Sequence, residues 1–345
     1  LLYFWLKQLR FKHLLRTKSK EMEMTYFSLE NTHSKQKAFN NRTDKLYNWL
    51  ETIPWTEFGI DSSDGIEHQE ILNLQNAVSA DADGLVGLGT LKRIQQVLAR
   101  DYDLLWNPIS GETSSPENVF ALGTPALIWS GLKVPLPKLK CELHTFLDPQ
   151  GIDLHSTGSF SKKVRDINSV VVHWGGLNPE HLGRVFKNRK ASSHFAVGIS
   201  ETTGEVEILQ YLDVAHVAWH AVGANQKSIG IDVCQQPELK HLGYYKKHGY
   251  EVNTIANPSY PKYGPKKIIS LDPRIKSAVS SLLRELQVAF ELPHYVASVE
   301  DGKVEKGTFL EGGVFSHFNV DFKGQGKWDI APWWANVVSD LESMA

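Results

Sequence analysis

The segment Ser169–Trp174 constrains the fold more than any other part of the chain. It reads Ser-Val-Val-Val-His-Trp, and three consecutive β-branched valines are typical of a buried strand. This strand delivers the imidazole of His173 to an edge of a sheet. A histidine in such a position is more often a core or capping residue than a metal ligand, so a metal site requires a second observation.

A second cluster, near the end of the chain, supplies that observation. His317, Lys327 and Asp329 offer an imidazole, an ammonium and a carboxylate within a short stretch. Two histidines and one carboxylate with an open fourth position are a ligand set of catalytic zinc. We therefore predict that His173, His317 and Asp329 bind Zn²⁺ together.

The chain around these clusters alternates strands and helices. The predicted elements are a short helix over 178–189, a hairpin of strands over 193–199 and 205–212, a strand over 228–234, a helix from Asp272 and a final helix from Pro332. The periodicities that define them are those of buried strands and amphipathic helices. A mixed central sheet flanked by helices follows, so the predicted fold class is α/β.

Residues 44–103 predict a separate small domain of three helices. Two segments with apolar residues at helical spacing flank an Asp-Gly and Gly-x-Gly loop, where glycine permits a tight turn. Thr90 is a suitable N-cap for the helix after the loop. The buried stripe of that helix consists of Leu91, Ile94 and Leu98.

Composition sets the other boundaries. Residues 1–43 form an N-terminal arm before the helical unit. Residues 104–165 hold six prolines and little periodicity, which predicts an ordered but irregular connector. Residues 166–345 then form the larger domain.

Several classes of protein are excluded by composition. The first sixteen residues are interrupted by charges too early for a transmembrane helix and lack the features of a signal peptide, although a membrane-surface helix and a docking arm both fit. Lys and Arg number 37 against 39 Asp and Glu, so no basic field favours nucleic acid. Two cysteines, Cys141 and Cys234, exclude a disulfide scaffold.

Five short motifs in fixed order carry a family resemblance. They are the strand ending at His173, Ala-Ser-Ser-His-Phe-Ala-Val-Gly over 191–198, Gly-Glu-Val-Glu-Ile-Leu-Gln-Tyr over 204–211, Ala-Trp-His-Ala over 218–221 and Ser-Ile-Gly-Ile-Asp over 228–232. Over about 165–340 the chain resembles the zinc-dependent N-acetylmuramoyl-L-alanine amidases of the type 2 amidase and peptidoglycan recognition superfamily. The helical unit over 44–103 resembles the peptidoglycan-binding domain that accompanies cell-wall hydrolases.

The resemblance implies a reaction and its residues. The bond cut is the amide between N-acetylmuramic acid and the first L-alanine of the stem peptide, and the attacking water is activated by zinc. His173, His317 and Asp329 match the family's ligand positions, and Lys327 matches a lysine that faces the developing oxyanion. The family usually has proline and glycine after the third ligand, whereas Ile330 follows it here, so the loop around that ligand is expected to differ.

The proton acceptor and the groove are also implied by the resemblance. Asp232 matches the position of a catalytic glutamate, and it is one methylene, about 1.5 Å, shorter. His220 matches a histidine position on the rim or floor of the family's groove and is assigned to substrate contact. Trp174 and Asn225 are further groove candidates, because an aromatic face can stack on a sugar, although it equally often only packs. Residues 235–270 form an insertion that is longer than the family's core requires, and they either wall one side of the groove or form a surface excursion without function.

Two classes of function stay open at this point. The first is a peptidoglycan hydrolase, and with a wall-binding module and no signal peptide it is expected to be a bacteriophage lysin or a virion-associated enzyme, held in the virion or the host cytoplasm before it acts on the wall. The second is a non-catalytic peptidoglycan receptor on the same fold. Such receptors typically lack one or more metal ligands, and all three positions are filled here. A zinc peptidase is disfavoured because the chain has no His-Glu-x-x-His helix.

Overall fold

The computed structural model describes residues 52–60, 68–82, 86–101, 104–109, 111, 113–114, 124–163 and 165–343. The predicted arm over 1–43 lies outside the described residues. The chain divides into two compact units, Leu1–Ala121 and Leu122–Ala345.

Among its described residues, the first unit has two α-helices and two short strands. They are α1 (His68–Ala77), α2 (Leu88–Asp101), β1 (Leu105–Trp106) and β2 (Thr113–Ser114), with a 3₁₀ turn at Trp55–Phe58. The predicted stripe of α2 is fully buried. Thr90, expected as the N-cap, lies two residues inside the helix, because α2 already begins at Leu88. Two of the three predicted helices are thus present among the described residues of this unit.

The second unit is built on a six-stranded sheet. Its strands are β5 (Glu142–Thr145), β7 (Ser169–Trp174), β8 (Phe195–Ile199), β9 (Val206–Gln210), β11 (Ser228–Val233) and β14 (Gly313–Ser316). Their order across the sheet is β14-β7-β11-β8-β9-β5. Strands β14, β7, β11 and β8 run parallel, whereas β9 pairs antiparallel with β8 and parallel with β5. The sheet is therefore mixed, as predicted.

Helices flank this sheet. They are α3 (Pro179–Lys187), α4 (Leu242–Lys247), α5 (Pro273–Ala289), α6 (Lys306–Glu311) and α7 (Ala331–Ser343). Helix α3 starts where Asn178 Oδ1 accepts a hydrogen bond from His181 N at 2.7 Å, and α5 starts where Asp272 caps Arg274 N. Helices α5 and α7 pack together, and α3 and α5 contact β8 and β9. This arrangement confirms the predicted α/β class.

Two segments are more regular than the sequence predicts. Within the predicted connector, β5 joins the main sheet and two further strands, β3 (Ala126–Trp129) and β4 (Leu132–Pro135), form a hairpin. The insertion contains α4 and a ribbon of β12 (Thr254–Ala256) and β13 (Lys267–Ile269). The short strands β6 (Phe160–Ser161) and β10 (Val217–Ala218) also pair.

Cys141 and Cys234 are both free thiols. Among the described residues, no helix combines the length and the apolar character needed to cross a membrane.

Candidate active site

Three neighbouring strands end at one edge of the sheet, and each brings a functional side chain there. His173 in β7 lies directly opposite Asp232 in β11. On the other side, Ser316 at the end of β14 pairs with Val172, and the next residue, His317, donates its backbone N–H to Val172 O at 2.9 Å. The carboxyl edge of parallel strands is where α/β proteins place their ligand sites. Register therefore brings together residues that are far apart in sequence.

The predicted ligand atoms converge at this edge. His173 Nδ1 lies 2.9 Å from His317 Nδ1, and Asp329 Oδ2 lies 2.8 Å from His317 Nδ1 and 3.6 Å from His173 Nδ1. Ligand atoms of tetrahedral zinc are separated by about 3.3 Å, since each zinc–nitrogen or zinc–oxygen bond is about 2.0–2.1 Å long. The three separations bracket that value, so His173, His317 and Asp329 could hold such an ion.

The charge states of these groups suit a divalent cation. Burial lowers the pKa of His173 to about 4, and the nearby His317 imidazole adds to this effect. Burial also acts to raise the pKa of Asp329, but its interactions with the imidazoles of His173 and His317 outweigh burial and hold that pKa far below its usual range. A neutral imidazole and an ionised carboxylate therefore face each other, and neither has to lose a proton before a metal binds.

His220 reaches the site through His173. His173 Nε2 lies 3.0 Å from His220 Nδ1, and His220 Nε2 lies 3.3 Å from Ser228 Oγ. Ser228 Oγ donates its own proton to Ala224 O at 2.9 Å, so it can only accept from His220. His220 Nδ1 must then accept from His173 Nε2–H. This chain of hydrogen bonds leaves a lone pair on His173 Nδ1, the atom that faces His317 and Asp329.

Gly230 makes room for this arrangement. A Cβ atom at position 230 would lie 2.7 Å from Cγ of His220, so the imidazole occupies the space that a side chain would need. Glycine in the interior of a strand often marks such a close approach. The glycine in the Ser-Ile-Gly-Ile-Asp motif is thus explained by the ring of His220.

Asp232 is a buried carboxyl beside the predicted ligands. Burial, with a smaller contribution from the negative charge of Asp329, raises its pKa to about 7, and the nearby hydroxyl of Ser193 opposes the shift. One carboxylate oxygen, Oδ1, lies 2.6 Å from the point where a Cβ of residue 175 would be, so Gly175 leaves space for it. A carboxyl group that is partly ionised near neutral pH can accept a proton there.

Lys327 lies in the loop before Asp329. Asp321 holds this loop by accepting hydrogen bonds from Gln325 N at 3.0 Å and from Lys327 N at 3.1 Å. The charge of Lys327 contributes to the lowered pKa of His173, which places a positive charge close to the site. Lys327 is only partly exposed.

The two other predicted groove residues make contacts within the chain. Asn225 Oδ1 accepts hydrogen bonds from His220 N at 3.2 Å and Ala221 N at 2.7 Å, so it fixes the turn that carries His220. Trp174 packs edge-on against Trp328 and Trp333, with ring centroids 4.7 and 5.7 Å away. Contact of these residues with a substrate stays a prediction.

His194 lies inside the sheet, in line with a structural role. Its Nδ1 accepts from Gly230 N at 2.9 Å, and its Nε2 lies 2.9 Å from His216 O. Sequence reasoning did not identify the roles of Ser228, Gly230 and Gly175. The glycines in and beside the strands were the available signal, because a strand interior rarely tolerates glycine without a reason.

Comparison with known proteins finds one family that matches part of the chain. Residues 147–264, about a third of the chain, match the family described as N-acetylmuramoyl-L-alanine amidase. No curated protein matches the chain. The matching segment contains His173, His220 and Asp232, whereas His317 and Asp329 lie beyond it.

Several solved structures are similar to the chain at low identity. A mutant of PlyL is 15% identical with a TM-score of 0.35, and the alignment covers 59% of this chain and 99% of that one. The endolysin LysCS of Clostridium intestinale is 14% identical with a TM-score of 0.33, covering 58% and 95%. AmiD of E. coli, in complex with an anhydro-N-acetylmuramic acid peptide, is 15% identical with a TM-score of 0.32, covering 52% and 58%. The family match therefore remains the finding that links residues 147–264 to N-acetylmuramoyl-L-alanine amidases.

Proposed function

We propose that the protein is a zinc-dependent N-acetylmuramoyl-L-alanine amidase that cleaves the amide between N-acetylmuramic acid and L-alanine in bacterial peptidoglycan. One observation carries the proposal. His173, His317 and Asp329 converge with acceptor atoms within 4.8 Å of one another, beside the buried carboxyl of Asp232. The amidase family match over 147–264 supports the substrate class.

The proposed ligands are His173, His317 and Asp329. When bound there, zinc supplies Lewis acidity, which makes water a stronger acid and an amide carbonyl more electrophilic. The residues around it then have separate tasks. Asp232 accepts the proton of the attacking water, and Lys327 provides positive charge for the oxygen of the scissile carbonyl as it becomes anionic.

Asp232 suits the role of base for two reasons. In the metal-free protein its pKa is about 7, and the charge of a bound zinc ion would lower that pKa, so the ionised form that accepts a proton is present at neutral pH. Its position opposite His173 in the parallel ladder places it beside the proposed ligands even though it is shorter than glutamate. Asp232 accepts the proton of the attacking water either directly or through one bridging water molecule.

His220 acts through His173 in this proposal. The hydrogen bond between His220 Nδ1 and His173 Nε2 selects the tautomer of His173 that presents a lone pair at Nδ1. A partner behind a metal-binding histidine of this kind typically contributes 10- to 100-fold in metal affinity, that is about 1.4–2.7 kcal/mol. His220 is thus a positioning residue, and the substrate contact implied by the resemblance would come in addition.

We further propose that the protein is a bacteriophage lysin or a virion-associated enzyme whose first unit binds the cell wall. The support is the sequence of residues 44–103, which resembles wall-binding modules, and the buried stripe of α2 that such a module needs. A tethered binding unit raises the concentration of enzyme at an insoluble polymer.

The test is mass spectrometry of purified muropeptides after incubation with the protein. Free stem peptides that begin with L-alanine should appear, a chelator should prevent their release, and added Zn²⁺ should restore it. Binding of muropeptides without release of stem peptides, at any zinc concentration, would instead favour the receptor.

A further inference from the structure

The residue after the proposed third ligand has an unusual backbone. Ile330 follows Asp329 and has φ +59°, in the left-handed region, and its side chain is fully buried. Four non-glycine residues of the described chain have positive φ, and Ile330 is the β-branched one among them. Branching at Cβ makes this conformation costly, so the surrounding structure must impose it. The contacts that impose this backbone conformation on Ile330 also set the direction in which the Asp329 side chain points.

Hydrogen bonds within the loop and from the insertion hold the backbone around Ile330. Ala331 N donates to Trp328 O at 3.2 Å and Trp333 N donates to Ile330 O at 2.8 Å, so the loop closes directly into α7. From the insertion, the buried Ser259 Oγ donates to Ala331 O at 3.0 Å. This bond links residues 72 positions apart in sequence.

Gly264 in the insertion supports the other side of the loop. It has φ +79°, and a Cβ built on it would lie 2.3 Å from Cζ3 and 2.7 Å from Cε3 of Trp328. Trp328 precedes Asp329 in sequence and is not itself a proposed ligand. Its indole therefore packs directly on the backbone of Gly264. Any side chain at position 264 would displace it.

The same part of the insertion also contacts Phe318, the residue that follows the proposed ligand His317. The ring of Tyr263 lies 4.9 Å from that of Phe318, which follows His317. Asn257 Nδ2 donates to Pro265 O at 2.9 Å and to Tyr263 O, which closes residues 257–265 into one turn. We call residues 257–265 the buttress turn.

We propose that the buttress turn is a positioning element for the metal centre: it holds the Trp328–Ile330 loop in its strained conformation and so fixes Asp329. The inference rests on the proposed zinc site. It assigns the insertion a task that neither a wall of the groove nor a surface excursion would have, because its contacts go to the neighbours of ligands. Zinc affinity should therefore depend on the insertion.

Gly264→Ala tests this in the full chain. Metal-free protein is titrated with Zn²⁺ in competition with a chromophoric chelator, and the variant should bind zinc 10- to 100-fold more weakly than the parent, as expected when ligand support is lost. Gly204→Ala is the matched control. Gly204 has φ +75°, nearly the same backbone, but a Cβ there meets nothing within 4 Å, so zinc affinity should stay at the parent's level.

Two further variants separate positioning from misfolding. Ser259→Ala removes the bond to Ala331 O without adding volume and should also weaken zinc binding, whereas Ser281→Ala, which removes a buried hydroxyl bond to Ala278 O within α5, should not. Trp328→Leu should relieve the collision between the indole and a side chain at position 264. Gly264→Ala should therefore reduce zinc affinity less when it is added to Trp328→Leu than when it is added to the parent.

The outcomes are distinguishable. A parent protein that binds no zinc would refute the proposed function and this inference with it. A parent that binds zinc, together with Gly264→Ala and Ser259→Ala variants of equal affinity, would refute the buttress turn as a positioning element and leave the proposed function standing.

Discussion

Replacing Asp232 by asparagine should make the metal-free protein more stable while it removes most of the activity. The side chain is nearly isosteric, so packing is kept, but an amide cannot ionise. Asp232 is only 6% exposed, and burial raises its pKa from 3.8 to about 7. A carboxylate held in such a place destabilises the folded state whenever it is charged.

The size of the effect follows from the pKa. The shift is about 3 units, and each unit corresponds to about 1.4 kcal/mol, so full ionisation costs about 4 kcal/mol of unfolding free energy. The sign is fixed by proton binding. Between pH 3.8 and about 7 the folded state holds this proton more tightly than the unfolded state, so stability is lost as pH rises through this window. About 3 kcal/mol of the loss falls between pH 5 and 8.

Urea unfolding of chelator-treated protein at pH 5 and pH 8 measures this difference. The parent should lose stability relative to Asp232→Asn by about 3 kcal/mol over that interval. Asp166→Asn serves as the control, because Asp166 is 82% exposed and pairs with Lys227 at the surface, so its curve should follow the parent's. Turnover of muropeptides by zinc-loaded Asp232→Asn should fall about 100-fold or more, the usual contribution of a positioned base.

Parallel stability curves for the parent and Asp232→Asn would refute the reasoning, since Asp232 would then not be held at a raised pKa. Parental turnover in Asp232→Asn with full zinc content would place the base elsewhere. Asp232→Glu gives the complementary test: it restores the longer side chain expected from the family resemblance, so it should keep much of the activity or raise it.

Three other predictions test the remaining assignments. His173→Ala should abolish stoichiometric zinc and wall lysis, because two ligands do not hold zinc against water, and full zinc content by atomic emission would contradict the ligand set. His220→Ala should weaken zinc binding 10- to 100-fold in a chelator competition, and an unchanged affinity would show that the tautomer of His173 is set by other means. Deletion of residues 1–121 should reduce co-sedimentation with insoluble wall while turnover of soluble muropeptides is kept, and an equal loss on both substrates would make the first unit part of the catalytic fold.

The strands and helices around the site were predictable because their signals are local. The valines before His173, the turn between β8 and β9, and the Asp-Pro start of α5 each determine their element within a few residues. Chain order then places β7, β8 and β11 in one sheet. The α/β class follows from these elements alone.

Strand β5 shows what local signals omit. Its four residues lie in a proline-rich stretch without clear periodicity, and their partner in the sheet is β9, with Glu142 opposite Glu207. A strand of this length is stabilised by its place in the sheet more than by its own propensity. The sequence therefore predicts a connector where the structure has a sheet edge.

The candidate site divides in the same way between residue identity and residue placement. Histidines and a carboxylate reveal a possible ligand set by their chemistry, so His173, His317 and Asp329 could be proposed before any geometry was known. The residues that hold these ligands in place could not be predicted, because they act through contacts between distant segments. His220 lies behind His173, and Gly264 lies against Trp328. Ile330 is the clearest case. Propensity argues against a left-handed isoleucine, and only the packing of the insertion and α7 around the loop can impose one, so the sequence signalled a difference at this position without revealing its form.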